Sequence, residues 1–131
     1  MLRKKSVTVC ILAGAMMFFL AGCYKNRTVF FETGEEITRP VSFATDIIPI
    51  FNASCNNSGC HSRGGKAPDL SASNAFNSLT VGNYVNTNVP EISELYLWMI
   101  GQRSTPMPPN GINKDNNALV LAWIKQGALN N

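Results

Sequence analysis

The chemistry-bearing residues of this 131-residue chain are concentrated in one short segment. Cys55 and Cys60 are separated by four residues, and His61, the only histidine of the chain, follows the second cysteine directly. Thiols at this spacing can close a disulfide, ligate a metal or bond covalently to a prosthetic group, and an adjacent imidazole adds a metal ligand. The pattern therefore indicates a bound metal or cofactor, or a disulfide-closed loop.

Zinc and a disulfide are the first alternatives to weigh. A structural zinc site takes four cysteine or histidine ligands, whereas the chain beyond residue 23 supplies three, so we set zinc aside. A disulfide between Cys55 and Cys60 stays open, because an exported protein lies in an oxidising compartment. The cysteine pattern alone leaves a disulfide and a covalently bound haem about equally favoured.

A second candidate ligand lies in a proline-rich segment. Met107 stands among three prolines between residues 104 and 111, which exclude a helix and a central strand, so we expect a stiff loop there. A thioether is a soft, neutral donor that can bind a haem iron together with His61 and stabilise its ferrous form. Met99 is the rival ligand, but it falls in an apolar helical segment where methionine usually packs. We therefore rank Met107 first.

Short helices and loops are expected to position these residues. The patterns predict a helix from Thr45 or Asp46 to about Ser54, a loop over 56–70 and a weak helix over 73–79. A further helix is predicted within 90–101, opened by Pro90 or Ser93 and closed by Gly101, and a last one from a cap at Asn113 to about Gln126. No alternating strand pattern is evident, so the sequence predicts an all-α domain.

The N-terminus has the layout of a secretory signal. Three basic residues precede an apolar run over 7–20 that is too short to span a bilayer comfortably. The run ends in Leu20-Ala21-Gly22-Cys23, which resembles the bacterial lipobox. That resemblance implies that residues 1–22 are removed and that Cys23 carries a lipid; an uncleaved anchor helix is the alternative. We expect an exported, membrane-anchored lipoprotein that faces the periplasm or the cell exterior.

Charge and composition divide the rest of the chain. The signal holds three of the eleven basic residues and none of the eight acidic ones, so the mature chain is formally neutral. Because a neutral domain has no basic stripe for phosphates, we expect no nucleic-acid partner. Residues 23–40 are interpreted as a lipid-anchored tether, in which Val29-Phe30-Phe31 is a possible short strand or docking patch, and residues 41–131 as the folded domain.

A series of short motifs surrounds the cysteine pair. In chain order they are Ile48-Pro49-Ile50-Phe51, Cys55, Cys60-His61, Ala67-Pro68-Asp69-Leu70, Ser93-Glu94-Leu95-Tyr96, Met107-Pro108-Pro109 and Trp123-Ile124-Lys125-Gln126-Gly127-Ala128. In this order the segment from Asp46 to Ala128 resembles a class I cytochrome c domain, in its small bacterial form with a widened haem motif. The family usually has two residues between the cysteines, so the four found here depart from its pattern.

The resemblance implies an all-α class I cytochrome c fold, with short helices and loops wrapped around one covalently bound haem c. Cys55 and Cys60 would form the thioether bonds, and His61 and Met107 would be the axial iron ligands. The carbonyl of Pro68 would accept the ring hydrogen of His61. The other residues implied are Leu70, Leu95 and Trp98 as haem packing, Phe51 and Trp123 at the crossing of the first and last helices, and Arg103 or Lys66 as a partner of a haem propionate.

A haem iron with both axial positions filled has no open site for a substrate. We therefore expect a one-electron carrier and not an enzyme, with the membrane, through lipid on Cys23, and redox proteins as its partners. Two other classes stay open. One is a haem-based sensor or gas-binding module in which Met107 does not ligate, and the other is a haem-free lipoprotein binding module closed by a disulfide between Cys55 and Cys60.

Overall fold

The computed structural model describes residues 34–131. The predicted signal peptide over 1–22, the predicted acylation site Cys23 and the Val29-Phe30-Phe31 run lie outside the described residues. Between residues 34 and 131, no helix has both the length and the apolar character that a membrane crossing requires.

The regular structure of the described residues is entirely helical. A π-helical turn over Phe43–Ile47 leads into α1 (Ile48–Ser54), which is followed by α2 (Ala75–Val81), a 3-10 turn (Pro90–Ile92), α3 (Glu94–Met99) and α4 (Lys114–Lys125). Residues 56–70 contain no helix, as predicted, and α2 starts two residues later than the predicted 73–79. The all-α class is confirmed for this part of the chain.

The longest helix, α4, begins and ends where local signals predicted. The side-chain oxygen Oδ1 of Asn113 accepts a hydrogen bond from the N–H of Asn116 at 2.9 Å. Asp115 lies in the first turn and Lys125 in the last, the arrangement that suits the helix dipole. Gly127 follows with a φ of +96°, a left-handed conformation that ends a helix and favours glycine.

Replacing Asn113 by alanine is expected to lower the free energy of unfolding by about 1 kcal/mol, because the N–H of Asn116 loses its side-chain acceptor. Chemical denaturation measures the loss. Asn110→Ala, on the exposed loop before α4, is the matched control. Equal stability of Asn113→Ala and the wild type would contradict this role of the cap.

The first helical segment starts earlier than predicted. It opens at Phe43 because Ser42 is its N-cap, with the hydroxyl oxygen accepting a hydrogen bond from the N–H of Thr45 at 3.3 Å. Asp46, one of the two predicted caps, has a different role. Its carboxylate accepts a hydrogen bond from the N–H of Ser42 at 2.8 Å and pairs with Arg39 at 2.7 Å.

The segment predicted as a helix within 90–101 is divided at the buried Ser93, so that α3 begins after the second of the two predicted starting residues. Ser93 has an extended ψ of 130°, and its hydroxyl oxygen accepts a hydrogen bond from the N–H of Asn86 at 2.9 Å. This contact with the preceding loop separates the 3-10 turn from α3. Gly101, with a φ of +73°, ends the segment as predicted.

An aromatic cluster joins the first and last helical segments. The ring centroid of Phe43 lies 5.0 Å from that of Trp123, 5.5 Å from that of Phe76 and 6.3 Å from that of Phe51. The sequence predicted a crossing through Phe51 and Trp123. The structure instead places Phe43 in contact with both rings, so Phe43 is the residue that links them.

Residues 34–40, which we name the strap, lie along α4 although the sequence assigned them to the tether. The N–H of Gly34 donates to the carbonyl of Lys114 at 3.1 Å, at the start of the helix. At its end, Gln126 donates to the carbonyl of Arg39 at 2.9 Å and accepts from the N–H of Val41 at 2.8 Å. A Cβ on Gly34 would lie 2.7 Å from the Lys114 carbonyl oxygen. Packing therefore begins before Val41 and depends on a glycine at the close approach.

Candidate functional site

The eight residues predicted to bind a cofactor line one cavity of about 390 Å³. They come from the end of α1, the 56–70 loop, α3 and the proline-rich loop, and are Cys55, Cys60, His61, Pro68, Leu70, Leu95, Trp98 and Met107. The cavity falls in the range of about 300–1,000 Å³ that is usual for small-molecule and cofactor sites. The structure thus brings together every residue that the sequence proposed for this role.

The two cysteines at the cavity are free thiols in different surroundings. Cys55 is half-buried at the end of α1, where its N–H donates to the carbonyl of Phe51 at 2.9 Å, and Cys60 is exposed. Burial, with a smaller contribution from the nearby Cys60, raises the pKa of the Cys55 thiol to about 11. Cys55 is therefore held as a neutral thiol at neutral pH, next to the apolar lining of the cavity.

The four residues between the cysteines form an outward bulge. Asn57, Ser58 and Gly59 are exposed, and Gly59 has a φ of +79°, which favours glycine. The bulge is closed by a hydrogen bond from the N–H of Cys60 to the carbonyl of Asn57 at 2.9 Å. The widened spacing is thus accommodated at the surface, and both thiols still line the same cavity.

The ring of His61 is oriented by two backbone carbonyls. Its Nδ1 atom lies 3.0 Å from the carbonyl oxygen of Pro68 and 3.2 Å from that of Lys66. Because a carbonyl oxygen can only accept, Nδ1 carries the ring hydrogen. In the neutral ring, Nε2 then holds the lone pair that a metal can bind. The predicted contact with Pro68 is present, and the contact with Lys66 is additional.

The loop that carries these carbonyls is fixed to the segment that holds the histidine. The N–H of Lys66 donates to the carbonyl of Cys60 at 2.7 Å, and the N–H of Leu70 donates to the carbonyl of His61 at 2.7 Å. Asp69, between them, accepts from the hydroxyl of Ser71 at 2.6 Å and from the side-chain amide of Asn74 at 2.8 Å. These bonds lower the pKa of Asp69, so its carboxylate stays ionised and keeps the loop attached to the start of α2.

Both candidate methionine ligands line the cavity. Met107 lies half-buried on the loop, and its N–H donates to the carbonyl of Trp98 at 3.2 Å, which ties the loop to α3. Met99 lies on α3, is 4% exposed and belongs to the hydrophobic core. The side chain of Met99 is therefore packed on several sides, whereas Met107 has the freer side chain.

Arg103, one of the two residues proposed for a propionate, is engaged elsewhere. Its guanidinium forms a bidentate ion pair with the carboxylate of Glu94. Nε donates a hydrogen bond to Oε2 at 3.0 Å, and Nη2 donates one to Oε1. The pair joins the start of α3 to the segment that leads to Met107. Lys66, the other residue proposed, lines the cavity.

The pair between Glu94 and Arg103 predicts a pH dependence of stability. The hydrogen bond and the charge of Arg103 hold the pKa of Glu94 below its ordinary value of 4.5. The stabilisation is therefore fully present above pH 4.5 and is lost as the pH falls through the lower pKa of the folded state. A double-mutant cycle with Glu94→Gln and Arg103→Gln should show a coupling energy at pH 7 that disappears at strongly acidic pH. A coupling that does not change with pH would contradict this account.

The structure adds residues that sequence reasoning missed. Tyr84 lines the cavity although no motif included it, and Ala67 and Pro109, which were noted only as members of motifs, line it as well. Tyr84 follows α2, and its backbone is held by hydrogen bonds to the carbonyl of Leu79 at 2.9 Å and from the N–H of Leu95 at 3.0 Å. No periodicity or motif marks Tyr84 in the sequence, because its position depends on contacts between distant segments.

The side chains at the cavity do not form a site for a metal ion without a cofactor. In residues 34–131, no group of three or more histidine, cysteine or carboxylate side chains is arranged to hold a metal ion. Comparison of the whole chain with protein-family models, with curated proteins and with solved structures gave no match.

Proposed function

We propose that this protein is an exported, lipid-anchored monohaem cytochrome c that carries single electrons. The observation that supports it is the convergence on one cavity of two free thiols, an oriented imidazole and a thioether. Met107 lies 46 residues after the Cys55–His61 segment, so the fold brings it to the other three groups, and the other predicted residues at the cavity are mainly apolar.

The residues at the cavity fit a covalently bound haem. Cys55 and Cys60 supply two thiols for the thioether bonds, and His61 presents a metal-binding nitrogen whose tautomer is fixed by carbonyl acceptors. A haem iron needs few protein donors because the porphyrin supplies the other ligands, so it does not require a cluster of acidic or cysteine side chains. We assign Met107 as the second axial ligand because its side chain is the less tightly packed of the two methionines.

The surrounding side chains suit a flat apolar group with a charged edge. Leu70 and Leu95, which are 3% and 8% exposed, give the cavity part of its apolar lining. Trp98 adds an aromatic face. Lys66 is the cation that we assign to a propionate, since the guanidinium of Arg103 is already paired with Glu94.

Electron transfer is the activity that this arrangement supports. When bound, haem supplies an iron that changes by one electron between its ferrous and ferric forms. With His61 and Met107 both ligating, this chain leaves no open position for a substrate, so we propose a carrier and not an enzyme. The helical domain is then a class I cytochrome c fold, in which the first helical segment packs on α4 through the contact between Phe43 and Trp123.

The location follows from the N-terminal sequence. Cleavage before Cys23 and acylation of its thiol would hold the domain at the membrane, on the periplasmic or outer side. Anchoring raises the effective concentration of the carrier near membrane-bound redox proteins, which are its proposed partners. This mechanism suits a mature chain without net charge, since long-range steering is then weak.

The direct test is the mass of the mature protein. The full chain is produced in a bacterial host with a cytochrome c maturation system, and the purified product is examined by haem staining after denaturing electrophoresis and by mass spectrometry. We expect one added haem and a diacylglyceryl group on Cys23. A colourless product with a disulfide between Cys55 and Cys60 would instead establish the haem-free binding module, and a haem protein that binds carbon monoxide readily at rest would establish the sensor.

A further inference from the structure

We infer that the carbonyl of Lys66 is a second acceptor for the ring hydrogen of His61, and that Gly65 is the positioning residue that makes this contact possible. The inference rests on the proposed function, in which His61 is an axial ligand. It concerns the electron-donating strength of that ligand and hence the reduction potential.

The ring hydrogen of His61 faces two backbone carbonyls. One hydrogen on Nδ1 lies between two carbonyl oxygens, at N–O distances of 3.0 Å to Pro68 and 3.2 Å to Lys66. Both distances are within the usual range for such hydrogen bonds, so the hydrogen is shared in a three-centre arrangement. Each acceptor draws the hydrogen away from the ring and increases the electron density at Nε2.

Gly65 decides whether the Lys66 carbonyl can reach the ring. A Cβ on Gly65 would lie 2.3 Å from the carbonyl oxygen of Cys60 and 3.0 Å from that of Ser62. The turn therefore closes this tightly only with glycine at position 65. Two hydrogen bonds hold the turn closed. The N–H of Gly65 donates to the carbonyl of Ser62 at 2.8 Å, and the N–H of Lys66 donates to the carbonyl of Cys60 at 2.7 Å.

The Pro68 carbonyl is held by separate contacts. The N–H of Leu70 donates to the carbonyl of His61. The Asp69 carboxylate accepts from the side-chain amide of Asn74, which attaches the neighbouring backbone to the start of α2. Substitution at Gly65 should therefore move the Lys66 carbonyl and leave the Pro68 carbonyl in place. The two acceptors can be separated by experiment.

The expected consequence is a change in reduction potential of known sign. A more electron-rich imidazole stabilises the ferric iron more than the ferrous iron, so loss of the Lys66 acceptor should raise the potential. We expect the equilibrium constant for reduction to rise by up to tenfold, which is about 59 mV for one electron. The hydrogen on Nδ1 should also exchange faster with solvent, because one of its acceptors has been withdrawn.

The test compares Gly65→Ala with Gly64→Asn in the haem-loaded full chain. Gly64 is the matched control, since a Cβ there meets nothing within 4 Å and asparagine tolerates its φ of +76°. Gly65→Ala should raise the potential and speed exchange of the Nδ1 hydrogen, measured by spectroelectrochemistry and by NMR of histidine-labelled ferrous protein. Gly64→Asn should change neither. A Gly65→Ala protein that keeps its haem, the wild-type potential and the wild-type exchange rate would overturn the inference.

A measurement on the unmodified protein covers the case in which Gly65→Ala does not mature. In ferrous protein with labelled histidine nitrogen and labelled backbone carbonyls, scalar coupling across hydrogen bonds should connect Nδ1 of His61 to the carbonyl carbons of both Lys66 and Pro68. Coupling to Pro68 alone overturns the inference while leaving the proposed function intact. A chain without covalent haem mass overturns the proposed function itself.

Discussion

A double variant, Cys55→Ala with Cys60→Ala, is expected to lose covalent haem and, with it, the cooperative thermal transition of the domain. The helices are short, and α1, α2 and α3 contain only seven, seven and six residues. Isolated helices of this length are not stable, so they depend on packing. Without haem, the mainly apolar lining of the cavity of about 390 Å³ would stay exposed to water. A small domain has only about 5–15 kcal/mol of free energy of unfolding to lose.

Calorimetry and near-ultraviolet circular dichroism of the double variant check this expectation. The matched control is the wild-type chain produced without the maturation system, because it lacks haem but keeps both thiols. Both proteins should lack a sharp transition. A colourless double variant that melts cooperatively near the temperature of the haem-loaded wild type would show that the helices and the aromatic cluster suffice without the cofactor.

Met107→Ala is expected to open one axial position of the iron. The ferrous variant should bind carbon monoxide readily, whereas the wild type at rest should not, and the ferric variant should lose the absorption band of methionine ligation. The reduction potential should fall, because a thioether stabilises the ferrous form. Optical titration with carbon monoxide and spectroelectrochemistry measure these changes.

Met99→Leu is the matched control for this variant, since Met99 lines the same cavity from α3. Leucine conserves its volume and apolar character, so packing should change little. The control should keep the methionine band and exclude carbon monoxide. If Met99→Leu opens the iron and Met107→Ala does not, the assignment of the distal ligand must be exchanged.

Local signals predicted the helices better than their interruptions. The cap at Asn113 and the stop at Gly127 are encoded within α4 itself, and both were predicted correctly. The break at Ser93 depends on a hydrogen bond with Asn86, and the early start at Phe43 depends on the cap at Ser42. The hydrogen bond between Ser93 and Asn86 joins two different segments of the chain, so the residue pattern of one helix does not predict it.

The side chains of the candidate site were predicted more completely than its backbone groups. Residue type and motif order singled out eight of the residues that line the cavity, and the family resemblance implied the Pro68 carbonyl as an acceptor for His61. The acceptor at Lys66 was missed because a backbone carbonyl has no signature of its own in the sequence and, unlike Pro68, Lys66 belongs to none of the family motifs. Arg103 was proposed as a propionate partner, but in the structure it is paired with Glu94, nine residues away. Residue type alone does not reveal this ion pair.

The attachment of Gly34 to the start of α4 limits how far the domain can travel. If lipid is carried on Cys23, eleven peptide units join the bilayer surface to the first pinned residue. At about 3.3–3.6 Å per residue, their contour length is at most about 40 Å. The domain could then reach an electron donor or acceptor only within a limited distance of the bilayer. That distance is set by the length of the segment from Cys23 to Gly34 and by the width of the domain. On the proposed function, the strap would therefore restrict the carrier to partners held close to the same membrane.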